Sequence, residues 1–408
     1  MENIFDTYFN NKLYFVLSED GCSVDKMVRH DVAIIVHLFY EDMADYYLAK
    51  LSEYARYFDV YVITPKKTIE EKAKKSDLNA VLKDIRGRDI SAFLVAAKDI
   101  HSHYKYVCFT HDKKEHSESP EEGVALWRQS LWSNVAASTD YIFNVISCFE
   151  NNYDIGVLSV PEPIGYEWTI WGKNLWLNNR KVTRELFRKL DIDADFDENK
   201  PPLTIGTSFW FRTDALKKLL DYPWKYEDFP EEPMPLDSTI SHAIERAIAF
   251  VAQDAGYKTG IISCKQYAKE QLLFYSKCFG DIMSTMMDCR LFPNYSSFCD
   301  YKQKMRLQIM INRAKEIYIY GAGKIGHQTY DMLKWRGYPL KGFVVSDKND
   351  NEDSCIEVGQ LREMVEDVDY LVIVATSEKY KGEIEDTLNE YGVMKYIYYK
   401  DLGKLLGY

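Results

Sequence analysis

The feature that most restricts the fold is an alternation of short apolar runs and helical periods along residues 31–110. Residues 31–40 read Asp-Val-Ala-Ile-Ile-Val-His-Leu-Phe-Tyr, β-branched and the length of a buried strand. Met43, Tyr47, Leu51, Tyr54 and Phe58 then recur at helical spacing. A second strand is predicted at 58–64, stopped by Pro65. A charged helix at 68–75 leads to a third strand at 80–83, a loop at 86–89, a helix at 90–101 and a fourth strand at 104–110. Strands joined through helices run parallel, so an α/β sheet is expected. Ligands of such sheets bind at the carboxyl ends of the strands. The loops to inspect are therefore 37–42, 64–67, 84–89 and 111–114.

The 408 residues suggest two or three domains, read as 1–265, a helical bridge at 266–312 and a third unit at 313–408. A net charge of −12 argues against coating nucleic acid, which needs a basic face. The amino terminus shows no secretory pattern, and no apolar run approaches the roughly 20 residues that span a bilayer. Eight scattered cysteines without a C-x-x-C pair fit reduced thiols in a cytoplasm. Seven of the eight tryptophans lie between 127 and 224, so a carbohydrate surface is sought there, with Trp171, Trp210 and Trp224 as stacking candidates.

Beyond residue 200 the expected elements are a strand at 206–212, a helix at 214–220, an acidic loop at 226–233, a helix at 238–255 and a strand at 256–263. The last unit opens with a strand at 316–320, then Gly321-Ala-Gly323-Lys-Ile-Gly326 and a helix to Trp335. Further strands at 340–346, 370–376 and 395–399 make it Rossmann-like. Gly321, Gly323 and Gly326 allow either close approach of a pyrophosphate or a tight structural turn, with Asp347 spaced to meet a ribose.

Three further groups of side chains, with His37, could carry chemistry. Arg86, Arg88 and Asp89 flank a glycine after a strand, where arginine forks suit a diphosphate and a carboxylate suits a base. An ion-paired turn, with Asp89 capping the next helix, is the plain alternative. His111, Asp112, Lys113 and Lys114 follow the fourth strand. There Asp112 could bind Mg²⁺ or Mn²⁺, and the lysines could offset phosphate charge. His37, which opens the 37–42 segment, is expected to bind the donor at the same edge. His101, His103 and His116 match no zinc spacing. In 227–246, Asp237 is the expected base at the entry to a helix, with Asp228 and His242 beside it. The plain alternative there has Asp237 capping the helix and Glu245 and Arg246 on its solvated face.

Together these segments resemble the rhamnan synthesis protein F family of bacterial glycosyltransferases. The matching pieces are VHLFY, FDVYVITPKK, RGRDISAFL, HDKK, IWGKN, GTSFWFR and YEDFPEEP…D…HAIER, in that order over roughly residues 30–265. Where this chain has Asp112 the family usually reads threonine, which leaves metal use open. The order also resembles the GT-A pattern, a mixed and mainly parallel sheet flanked by helices, although a full Asp-x-Asp is missing. The resemblance implies a cytoplasmic enzyme, peripheral to the inner membrane face. It would move rhamnose from dTDP-rhamnose to a growing, lipid-linked surface glycan, with inversion. Arg86, Arg88, Lys113 and Lys114 would hold the diphosphate, Asp89 the nucleotide, and Asp237 would take the acceptor proton. Two rivals are a non-catalytic assembly or sensor protein and a nicotinamide-dependent nucleotide-sugar oxidoreductase. The second lacks a Tyr-x-x-x-Lys site.

Overall fold

A computed structural model describes residues 13–22, 24–114, 128, 130–164, 176–194, 204, 206–235, 237–288, 295–346, 355–365 and 369–406. The chain divides into two compact units, Met1–Cys278 and Phe279–Tyr408. Trp171 and Asp347 lie outside the described residues.

The first unit is built on eight strands: β1 (Tyr14–Leu17), β2 (Arg29–His37), β3 (Phe58–Thr64), β4 (Asn79–Leu82), β5 (Tyr106–His111), β6 (Ile155–Ser159), β7 (Phe209–Arg212) and β8 (Lys258–Cys264). Their order is β1-β8-β6-β7-β5-β2-β3-β4. Every pairing is parallel except those of β7, which runs antiparallel to β5 and β6. Successive residues of β2 feed opposite cores. Val32, Ile34 and Val36 pack with α1 (Glu41–Tyr54) and α4 (Thr139–Asn151), while Ala33 and Ile35 face Phe93, Phe109 and α6 (Ile240–Asp254). A central strand covered on both faces must be apolar throughout, which is why residues 32–36 are continuously hydrophobic.

The register brings the functional edge together. His37 stands opposite His111 in the β2–β5 pair. Thr64 stands opposite Leu82, and the Lys83 N–H donates to the Thr64 carbonyl at 3.0 Å. Four strands, β5, β2, β3 and β4, thus end side by side at the carboxyl edge. The expected strand at 31–40 stops at His37 for a local reason: the buried Asp112 carboxylate accepts the N–H groups of Phe39 and Tyr40, each at 2.8 Å. Those amides leave the ladder, and the chain turns into α1.

Arg212 ties the antiparallel strand into the sheet. Its Nε donates to the Ile155 carbonyl at 2.8 Å and Nη2 to the Phe149 carbonyl at 2.5 Å, from a side chain stacked between Tyr106 and Phe149. Two parts of the sheet escaped the sequence reading. The run Ile155–Ser159 forms a fully buried strand, and the half-exposed Tyr14–Leu17 forms an edge strand on β8.

The second unit is a five-stranded, all-parallel sheet ordered β11-β10-β9-β12-β13, with β9 (Glu316–Tyr320), β10 (Leu340–Val345), β11 (Cys355–Glu357), β12 (Tyr370–Val374) and β13 (Tyr396–Tyr398). Gly321 sits at φ +103, and helix α9 (Lys324–Trp335) follows it. A Cβ on Gly326 would lie 1.8 Å from the Gly321 carbonyl oxygen. Close packing of the helix on the turn therefore demands glycine at 326. Between the two sheets in sequence run α7 (Lys265–Asp288) and α8 (Tyr295–Arg313), which cover most of 266–312.

Candidate functional site

The carboxyl edge of β2, β4 and β5 carries His37, Lys83 and His111, and the loop after β4 adds Asp89 at the first turn of α3 (Arg88–Ser91). His111 Nδ1 lies 2.7 Å from the Asp112 carbonyl oxygen, and Nε2 lies 3.0 Å from that of Gly206 and 4.0 Å from Asp89 Oδ2. Burial raises the Asp89 carboxyl, but His111, His37 and the Thr207 hydroxyl outweigh it, so Asp89 is held below the ordinary carboxylate range. Burial pushes the Lys113 ammonium down, against the pull of Glu245 and Asp89. Lys114 is exposed and paired with Asp42 at 2.5 Å.

From the other side α6 presents His242. Its Nδ1 meets the Thr239 hydroxyl at 2.7 Å. Burial holds its pKa below the ordinary value, with Glu245, Asp237 and Asp89 opposing, so the imidazole is neutral at pH 7. Glu245 accepts the Gly206 N–H at 2.5 Å and so joins α6 to the turn before β7. Arg246 is buried and donates to the His242 carbonyl at 3.0 Å. The plain alternative of a solvated face at 245–246 does not hold, since Arg246 is buried and Glu245 is bonded to the Gly206 N–H.

Three non-glycine residues that border the site sit in the left-handed region: Arg88 (φ 47), Thr207 (φ 43) and Ser238 (φ 64). Such conformations cost energy and cluster where function constrains the backbone. Gly87 (φ +74) completes the turn, and a Cβ there would come within 2.7 Å of the Phe229 ring.

Several expected ligands have structural duties instead. Arg86 donates from Nε to the Phe229 carbonyl at 2.6 Å, and from its other nitrogens to Glu227 O and Glu231. Arg88 makes a bidentate pair with Glu232 at 2.8 and 2.9 Å. Both arginines therefore lash the 226–232 loop to the turn after β4. Asp228 accepts the Lys225 N–H at 2.8 Å and faces Lys189, the arrangement of a turn cap. Asp237 accepts from the Asn178 N–H at 3.1 Å and from the Asn179 side chain. Burial pushes its carboxyl up, but these bonds and Arg246 keep it below the ordinary range.

The stacking role is corrected for two tryptophans. Trp210 is fully buried with Nε1 donating to the Val135 carbonyl at 2.7 Å, and Trp224 is 3% exposed with Nε1 donating to Leu219 at 2.9 Å. Neither offers a face to a sugar. An open groove of about 850 Å³ lies elsewhere, lined by Asp42, Tyr46, Lys50, Arg128, Trp132 and Glu270 among others. Tyr46 is 61% exposed there. Asp42 pairs with Lys114, and Arg128 donates to the Lys113 carbonyl at 3.2 Å, so the groove borders the 111–114 turn.

Among the described residues the donor set around Asp112 does not suit a divalent cation. Asp112 spends one oxygen on two amides, and burial raises its carboxyl to about 6. Among the described residues no three His, Cys, Asp or Glu side chains converge on a point that could hold a metal. The glycines at 321 and 326 are accounted for by packing, so no ligand is assigned to that turn. Sequence reasoning passed over Lys83 and Thr207. The usable signal for Lys83 was its place at the carboxyl end of a strand in a parallel sheet.

Among the described residues no helix is long and apolar enough to cross a membrane. Two curated proteins of Xanthomonas campestris pv. campestris, from strain B100 and a second strain, are similar to this chain. Each is called "Uncharacterized protein WxcX" and is 22% identical over 231 residues, 55% of this chain and 32% of the relative. The chain thus spans about a third of the length of the curated relatives it matches. The sequence pattern described as Rhamnan synthesis protein F matches residues 2–257, which takes in every strand of the eight-stranded sheet except β8. The chain belongs to the rhamnan synthesis protein F family.

Proposed function

We propose that the first unit is a glycosyltransferase that moves a sugar from a nucleotide-sugar donor to a growing bacterial surface glycan. The observation that carries this reading is the convergence of Lys113, Asp89 and a neutral His242 at the carboxyl edge of the sheet. A leaving diphosphate needs cations near it, and an attacking hydroxyl needs a base that is unprotonated at neutral pH. His242 fits the base better than Asp237, whose oxygens are engaged by the 178–179 turn. In the reaction the acceptor oxygen bonds to the anomeric carbon as its proton passes to His242. The bond from that carbon to the diphosphate oxygen breaks, and the electron pair leaves with the nucleoside diphosphate. Lys113 and Lys114 offset the departing charge. The anomeric configuration inverts because attack and departure occur on opposite faces.

The family supports rhamnose as the sugar, with dTDP-rhamnose as the donor to try before others. The groove beside α1, with its exposed Tyr46, supplies the acceptor face that the buried tryptophans cannot. A lipid-linked acceptor would place the enzyme at the inner membrane face. The test is release of nucleoside diphosphate from dTDP-, UDP- and GDP-sugars with a surface-glycan acceptor. His242→Gln in folded protein is expected to slow transfer about 10²–10⁴-fold. A rate within a factor of three of the parent would remove His242 from the base role.

A further inference from the structure

Two side-chain atoms at this edge are buried with nothing to bond. Lys83 is 7% exposed and His37 is 4% exposed, and neither Lys83 Nζ nor His37 Nε2 has a hydrogen-bond partner among the described residues. Their surroundings are otherwise well satisfied. Thr110 bonds Ser208 at 2.9 Å, and the His111 ring can donate to the Asp112 or the Gly206 carbonyl oxygen. An ammonium is among the costliest groups to bury unpaired. The charged groups facing Lys83 are Asp89, Asp84, Glu232 and His37, and its Nζ lies 6.0 Å from the centre of the Tyr226 ring. None of the carboxylates closes an ion pair with it. The arginines that the sequence offered for anion binding are engaged with the 226–232 loop. A buried cation and a buried imidazole, unsatisfied together at the carboxyl ends of parallel strands, mark a place kept for an anionic ligand.

We propose that Lys83 Nζ and His37 Nε2 form an anion site for one phosphate of a nucleoside diphosphate, distinct from the cations of the 111–114 turn. The inference deepens the transferase reading and rests on it. The ammonium gives a charge-assisted bond, and a neutral His37 can donate one more through Nε2. In the free protein the buried ammonium has carboxylates in its surroundings but no acceptor within hydrogen-bond distance, and the ligand supplies that acceptor.

The test is calorimetric binding of dTDP, UDP, GDP and inorganic pyrophosphate to the full chain, its Lys83→Met variant and its His37→Gln variant. Melting temperatures without ligand are measured alongside. The expected result is that at least one nucleoside diphosphate binds the parent. Lys83→Met then weakens it and pyrophosphate about 100-fold, and His37→Gln weakens them about tenfold. Free Lys83→Met melts no lower than the parent, because Met keeps the apolar stem and drops only the unpaired charge. Binding to Lys83→Met within threefold of the parent would overturn the site and leave the transferase reading standing. A Lys83→Met variant that is clearly less stable without ligand would also overturn it, by showing that Lys83 has a partner within the protein. If no nucleoside diphosphate binds the parent, the transferase reading fails and takes this site with it.

Discussion

Replacing Asp112 tests how its carboxylate is used. The side chain is 4% exposed and accepts the Phe39 and Tyr40 amides at 2.8 Å. Burial lifts its pKa from 3.8 to about 6 in spite of those bonds. The folded state therefore holds its proton more tightly than the unfolded chain. The group's contribution to stability is fully present below pH 3.8 and is lost as pH rises through 6. That shift corresponds to roughly 3 kcal/mol, the burden of keeping the anion buried at neutral pH. Asp112→Asn keeps an oxygen for both amides and removes the charge. It is expected to stabilise the first unit by roughly 1–3 kcal/mol at pH 7.5 and by almost nothing at pH 4. Asp112→Ala leaves two amides without an acceptor and is expected to cost about 1–3 kcal/mol for each at either pH. Urea unfolding followed by tryptophan fluorescence is the assay, since seven of the eight tryptophans lie between 127 and 224 and report the first unit. An Asn variant that is less stable than the parent at pH 7.5, by the same margin as at pH 4, would refute the reasoning. The carboxylate would then have a favourable counter-charge.

Other consequences follow from the same geometry. Burial holds Lys83 down at about 8, so the unfolded chain binds its proton more tightly. The parent should gain on Lys83→Met as pH rises from 8 to 10.5, by roughly 3 kcal/mol in total, read from paired urea curves. A constant difference across that range would show that Lys83 is not desolvated. Gly87→Ala forces a side chain into a left-handed backbone, at about 1–2 kcal/mol, and also against Phe229. It should expose the 226–232 loop to proteolysis, and unchanged cleavage would contradict the lashing described above. Arg212→Leu strips the Ile155 and Phe149 carbonyls of their donors and should destabilise the first unit by about 3 kcal/mol, measured by denaturant midpoint.

Much of the architecture was legible because the strands are covered on both faces and read as continuous apolar runs. The four parallel strands from β2 to β5, the helix 240–254 and four of the five strands of the second sheet could be placed to within a few residues, whereas the three-residue β11 was not read. Ile155–Ser159 was hidden because a five-residue run without a flanking helical period gives little signal. The edge loops were legible too, since a parallel sheet leaves few places for a ligand. What local sequence could not reveal was how each charge is spent. Arg86 and Arg88 pair with residues more than 140 positions away, and Asp112 turns to amides 72 and 73 positions earlier. A tryptophan is the same letter in a core as on a sugar platform, and only burial of Trp210 and Trp224 decides between them. Lys83 was passed over for the converse reason, because a lysine that ends a strand beside a charge-rich loop looks solvated until its burial is seen.

The most direct measurement is a crystal structure of the full chain with dTDP-rhamnose or whichever nucleotide sugar binds it. The account predicts diphosphate oxygens within about 3 Å of Lys83 Nζ at the carboxyl ends of β2, β4 and β5, with His242 facing the anomeric carbon. Nucleotide found only at the Gly321–Gly326 turn, with the edge of the first sheet left to solvent, would contradict it.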